Sequence, residues 1–300
     1  MISWGAHAMI GLLWLIRRRR IYASAAGLHA GIAQTRRAGP ALPDAALRRR
    51  VAVCELAPLP TGQSVYRLRP HRPAPGAPRV LYLHGGAYVR PITRFHWQAL
   101  GDWVQATGAE VTVPLYPLAP EHSGRTALDA VAALCSRERL GNTPWCLMGD
   151  SAGGGLALAL AAHLRDHGLP LPRRLLLICP WVDLALPHPD VARIAPHDPM
   201  LARLGLHEAA RLYAGPLPID DPALSPTHAD PTGLPPVSIW LAGRDIATPD
   251  ALAWVARARA CGVPVELHQG AGMVHVWPLL GFREARAARA QVARALSDQA

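Results

Sequence analysis

A mostly parallel β-sheet covered by helices on both faces is the fold class this sequence predicts. Three observations carry it. From about residue 79 onward, short apolar runs alternate with helix-length segments, the pattern of an α/β fold. The runs at 79–83 and 174–179 are nearly continuous in apolar character, which suits strands buried on both faces. Glycine-rich or polar turns follow several of these strands, where such sheets place their ligands.

The elements follow in order. Residues 1 to about 50 read as helices broken at Gly39-Pro40 and Pro43. The first strand is predicted at 51–56, and its partner at 64–68 alternates in polarity. A proline-rich loop at 71–78 leads to the third strand at 79–83, which ends in His84-Gly85-Gly86-Ala87-Tyr88. Helical periodicity covers 95–107, strand character 110–115, and helix 126–140. The apolar run 145–148 is a strand that turns through Gly149-Asp150-Ser151-Ala152-Gly153 into the Ala/Leu helix at 156–162. Strands six, seven and eight are predicted at 174–179, 237–241 and 265–268. Between about 184 and 234 the rhythm breaks into a Pro-, Asp- and His-rich insertion with one helical piece at 200–213. An insertion there sits over the strand ends as a lid. No internal repeat or low-complexity segment appears.

Composition narrows the function classes. With 300 residues and 50% hydrophobic content the chain is long enough for a large core and is not a disordered protein. The net charge of +10 comes from 31 basic residues, all of them Arg, scattered except at Arg17–Arg20 and Arg48–Arg50. No basic stripe with interleaved aromatics is present, so no nucleic-acid partner is expected. Cys54, Cys135, Cys146, Cys179 and Cys261 form no C-x-x-C pair, which predicts neither a disulfide framework nor a metal site and fits a reducing, cytoplasmic compartment. The apolar stretch 2–16 has its arginines after it, the reverse of a secretory signal, and falls short of a membrane span of about 20 residues. It is read first as an amphipathic helix packed on the protein, with no membrane partner expected; contact of residues 2–16 with a lipid surface stays open as the alternative.

The turn 149–153 has the G-x-S-x-G form of a nucleophile elbow. Glycines are needed because the turn is tight, and Ser151 must adopt a strained backbone that lifts its hydroxyl off the sheet. The following helix aims free N–H groups at the same point. A serine nucleophile needs a base, and the base an orienting acid, in the chain order Ser, Asp or Glu, His. Asp245 stands after the seventh strand and His275 after the eighth. Asp250 and His268 compete for these roles, the latter from inside a predicted strand, and Asp150 is read as structural. Gly85 and Gly86 after the third strand, together with Ala152, are predicted to donate N–H groups to an oxyanion. The expected pH dependence is that of an imidazole near its ordinary value of about 6.5.

These motifs resemble the hormone-sensitive-lipase branch of the α/β-hydrolases, the bacterial family IV carboxylesterases with an HGG motif and a GDSAGG elbow. The resemblance extends to Tyr116-Pro117-Leu118-Ala119-Pro120-Glu121-His122, to Pro180-Trp181-Val182-Asp183-Leu184, to Leu234-Pro235-Pro236 and to Met273-Val274-His275-Val276-Trp277. It covers about residues 51–280, and Ser3-Trp4 resembles the start of the family's N-terminal cap helix. It implies an eight-stranded α/β-hydrolase core (51–184 and 235–300) with a helical cap from residues 1–50 and 185–234. It also implies hydrolysis of short- to medium-chain esters of small molecules, with no metal and no cofactor. Gly155 departs from the usual Asn, and Ile246 from the usual Glu. An interfacial lipase, an amidase or acyltransferase with the same triad, and a non-catalytic ligand-binding protein stay open as alternatives. Tyr88, Trp181 and Tyr213, with Trp4 and Trp14, are candidate walls of a substrate pocket or else plain packing. The family also brings in a homodimer paired through the eighth strand, which nothing in 265–268 decides.

Overall fold

The structure is a computed structural model that describes residues 2–73, 76–138 and 144–298. Residues 74 and 75 of the predicted proline-rich loop, and 139 and 140 of the helix predicted at 126–140, lie outside the described residues. Eight strands form one sheet: β1 (Ala52–Leu56), β2 (Val65–Arg69), β3 (Arg79–Leu83), β4 (Glu110–Pro114), β5 (Trp145–Asp150), β6 (Arg174–Ile178), β7 (Val237–Arg244) and β8 (Val265–Val274). Their order is β1-β2-β4-β3-β5-β6-β7-β8. β2 pairs antiparallel with β1 and β4, and every other pairing is parallel. β8 extends six residues past the predicted end, because it keeps pairing with β7 through an irregularity between Ala242 and Arg244.

The strands sort their side chains by alternation. Leu81 and Leu83 of β3 and Leu175 and Leu177 of β6 enter one apolar cluster, while Val80, Tyr82, Leu176 and Ile178 enter the other. On the first face lie α5 (Gly124–Arg137), α6 (Ala152–Asp166) and α9 (Thr248–Ala260). On the second lie α1 (Trp4–Leu15), α3 (Ala45–Arg50), α4 (Arg94–Thr107) and α10 (Arg283–Ser297). Between α1 and α3 comes α2 (Ala25–Ala38), and the segment between β6 and β7 carries α7 (Asp190–Ile194) and α8 (Arg203–Ala214).

The N-terminal region differs from the prediction in one respect. Arg17 takes a left-handed conformation and residues Arg18–Tyr22 form a short 3-10 turn, so the helices break before Ser24 as well as at Gly39. The Ser24 hydroxyl then caps α2 by accepting from Gly27 N at 3.0 Å. This turn presses against α8, where a Cβ on Gly205 would lie 2.4 Å from Tyr22 Cα. The N-terminal helices and the insertion between β6 and β7 therefore meet at backbone contact. α1 also departs from the amphipathic expectation: its inner face is buried, yet its outer face is apolar too. No helix among the described residues is long and apolar enough to cross a membrane.

Candidate active site

The site stands on the C-terminal ends of four strands. β3 and β5 run side by side with Leu83 opposite Gly149, so the glycine loop after β3 lies against the turn after β5. Ser151 has φ +52° and ψ −121°, a conformation that costs about 1–3 kcal/mol for a non-glycine residue. The surrounding bonds hold it there: Ser151 N donates to Ile178 O at 2.8 Å, and Ser151 O accepts from Trp181 N at 2.9 Å. The flanking glycines are required by close approach. A Cβ on Gly149 would lie 2.3 Å from Gly153 O, and one on Gly153 would lie 2.0 Å from Leu83 O.

Asp245 follows β7 and His275 follows β8, as predicted, and the two meet. His275 Nε2 is 2.8 Å from Ser151 Oγ, and His275 Nδ1 is 2.7 Å from Asp245 Oδ2. Asp245 Oδ1 accepts from Ala247 N at 2.9 Å, which fixes the carboxylate plane. All three side chains are buried. Burial alone would lower the His275 pKa, but the Asp245 carboxylate reverses this by charge and hydrogen bond, with Asp198 and Asp150 adding to it. The net direction is upward, which corrects the expectation of an ordinary imidazole value.

The competitors fall elsewhere. Asp250, in the first turn of α9, accepts from His188 N at 3.2 Å, and burial followed by Asp183 raises its pKa to about 6. His268 stacks on Trp240 and pairs with Glu266 at 3.1 Å.

The glycine loop requires a correction. Gly85 N–H is not free: it donates to Asp150 Oδ1 at 2.8 Å. Asp150 also accepts from Tyr82 Oη at 2.5 Å and faces His96 Nε2 at 3.4 Å. Burial pushes the Asp150 pKa up, but His96 and these donors bring it below the ordinary carboxylate value. Gly85 is thus tied down by an anion rather than open to one. The N–H groups of Gly86 and Ala87 in this loop, and that of Ala152 after the serine, have no hydrogen-bond partner among the described residues. Gly86 has φ +135° and a Cβ there would lie 2.2 Å from Arg90 O, so only glycine fits. A model of the α/β-hydrolase fold family matches residues 80–279, which spans all of these elements.

The chain belongs to that family.

Among its relatives, LipR of Mycobacterium tuberculosis is 36% identical over 217 residues, 71% of this chain and 70% of that one. An acetyl-hydrolase of Streptomyces hygroscopicus is 38% identical over 204 residues, 66% of this chain and 67% of that one. A solved esterase of the bacterial hormone-sensitive lipase family superposes with a TM-score of 0.81 at 29% identity, covering 100% of this chain and 99% of the other. This α/β-hydrolase is therefore of the hormone-sensitive-lipase branch.

Two further groups border the triad of the hydrolase. Asp198, from the insertion between β6 and β7, is fully buried and accepts from Met200 N, Leu201 N and, at 3.1 Å, Ile246 N. Burial first and the Asp245 charge second raise its pKa. The sequence offers only His197-Asp198-Pro199 in an irregular stretch, with no spacing that marks it. Cys179, after β6, lies with Asp245 and His275 in a group whose possible ligand atoms are within 4.8 Å of one another. Burial, then the Asp245 charge, hold the Cys179 thiol protonated, and both imidazole nitrogens already have partners. This donor set does not fit a metal that needs a thiolate.

The candidate pocket walls also change. Tyr88 stacks on Tyr213 with ring centroids 3.6 Å apart, and Trp181 lies 5.8 Å from Tyr88. All three are buried in one stack, so of the two readings left open by the sequence the contacts favour packing. Gly155 explains part of this: a Cβ there would lie 2.3 Å from Trp181 O and 2.6 Å from Tyr88 Oη. The missing side chain makes room for the stack. Trp4 and Trp14 lie exposed on the outer surface of α1.

Proposed function

We propose that the chain is a serine carboxylesterase that hydrolyses short- to medium-chain acyl esters through an acyl-enzyme. The single observation that supports it most is the continuous chain Ser151 Oγ, His275 Nε2, His275 Nδ1, Asp245 Oδ2, at 2.8 and 2.7 Å. In this reading Ser151 Oγ attacks the ester carbonyl carbon while His275 Nε2 takes the hydroxyl proton. Gly86, Ala87 and Ala152 N–H groups stabilise the oxyanion. His275 then gives the proton to the leaving alcohol, and the C–O bond breaks. Water, deprotonated by His275, attacks the acyl carbon, and the carboxylic acid leaves as Ser151 regains its proton. Asp245 holds the imidazole tautomer and balances the imidazolium charge without taking the proton.

Residues 1–50 and 185–234 act in this proposal as a cap over the strand ends. The five unpaired cysteines support a reducing, cytoplasmic setting. β8 is a sheet edge, which supports a homodimer paired there, and sedimentation velocity tests that assembly. Hydrolysis of p-nitrophenyl esters from acetate to palmitate, with Ser151→Ala as control, tests the activity. Cleavage of the short esters that the variant lacks, a loss on the order of 10⁶, is expected. Cleavage that survives the substitution overturns the assignment.

A further inference from the structure

α1 is a surface helix without a charged residue. Apart from the exposed His7, whose Nδ1 lies 3.1 Å from Ser3 O, its side chains are apolar, and a helix that is apolar all round normally belongs in an interior. Its inner face meets that expectation: Ala6, Ile10 and Leu13 are buried in the same cluster as Trp277, Leu279 and Phe282, just after His275. Its outer face does not. Trp4 is 92% exposed and Leu15 79%, and Ile16 just beyond the helix is 57% exposed. Leu12 and Trp14 are exposed beside them. Arg17 to Arg20 follow directly, with Arg17 and Arg20 open to solvent and Arg19 Nε tied to Leu201 O at 3.1 Å. Glu284 is engaged by Ser3 N and Ser3 Oγ at the opposite end of the helix.

We infer that the outer face of α1 docks the protein on an anionic lipid surface. The apolar side chains enter the headgroup–acyl boundary while the exposed arginines meet lipid phosphates. The net charge of +10 favours the same partner. Tryptophan suits that boundary, because its ring is apolar and its N–H seeks a polar partner. The contact lies along the surface and does not span the bilayer, in keeping with the length of α1. Because α1 packs on the segment after His275, docking brings the catalytic loop beside the bilayer, and esters dissolved in the membrane become the substrate class nearest the site.

The experiment uses the full chain carrying Ser151→Ala, so that binding is read without lipid hydrolysis and independently of the esterase proposal. Flotation is measured with phosphatidylglycerol vesicles and with phosphatidylcholine vesicles, at low and high salt. Binding to phosphatidylglycerol that salt weakens is expected, with little binding to phosphatidylcholine. Leu15→Glu should reduce it at least tenfold, and Arg17→Gln and Arg20→Gln by about fivefold each. All three changes are at exposed positions, and hydrolysis of a water-soluble ester with Ser151 restored checks that the variants fold. Absence of binding, or binding that Leu15→Glu leaves intact, overturns the inference. So does a dimer in sedimentation velocity that Leu15→Glu dissociates, since a second copy would then cover the face.

Discussion

Replacing Asp150 by alanine should cripple the enzyme through its glycine loop while leaving the triad in place. The buried carboxylate accepts from Gly85 N at 2.8 Å and Tyr82 Oη at 2.5 Å, and faces His96 Nε2 at 3.4 Å. Alanine leaves those donors buried without an acceptor, at about 1–3 kcal/mol each. Relief of the burial cost of the charge offsets part of this, so a net loss of about 4 kcal/mol is expected. At about 2 °C per kcal/mol for a chain of this size, Tm should fall by about 8 °C. Gly85 also anchors the loop that presents the Gly86 and Ala87 N–H groups. A shift equivalent to losing one oxyanion donor costs about 10²–10³ in kcat. Tyr82→Phe is the matched control, because it removes one donor and leaves the Gly85 bond intact. It should lower Tm by a few degrees and change kcat by less than about threefold. Differential scanning calorimetry and steady-state kinetics on both variants give the answer. An Asp150→Ala enzyme with wild-type Tm and kcat, or a Tyr82→Phe enzyme as inactive as Asp150→Ala, would refute the reasoning.

Other expectations follow from the same geometry. The carboxylate of Asp198 helps raise the His275 pKa, so Asp198→Asn should move the acid limb of kcat/KM to lower pH, and an unmoved limb would contradict this. His84 is buried and stacked on Tyr116, and burial lowers its pKa to about 4. Its contribution to stability is therefore present above the ordinary imidazole value and is lost as pH falls toward about 4. Urea unfolding of His84→Gln should escape about 3 kcal/mol of that acid loss, and equal losses in both proteins would contradict it. Gly153→Ala places a methyl group 2.0 Å from Leu83 O, so it should destabilise by more than about 1–3 kcal/mol, and an unchanged Tm would show that the elbow relaxes freely.

Much of the site was legible in the sequence because its chemistry restricts residue types locally. A serine between small residues after an apolar run, and an acid and a histidine after later strands, can be recognised without knowing the packing. β3 appears where its apolar run predicts, at Arg79–Leu83, because strands buried on both faces leave a continuous signal. What could not be read was set by partners distant in sequence. Gly85 looks like any loop donor until Asp150, 65 residues away, is seen to take its N–H. Asp198 gains its meaning only from folding the insertion against Ile246, 48 residues on. Tyr88, Trp181 and Tyr213 carry no mark that separates a pocket wall from a mutual stack. The break at Arg17–Tyr22 carries no proline or glycine, and the close fit of that turn against Gly205 accompanies it.

The most direct test of the central claim is to trap the acylated protein. The enzyme would be mixed rapidly with a p-nitrophenyl ester, quenched in acid, and the adduct located by peptide mass spectrometry. The account predicts one acyl group on the peptide carrying Ser151, formed in step with nitrophenol release and absent from Ser151→Ala. No adduct, or an adduct on another residue that persists in Ser151→Ala, would contradict it.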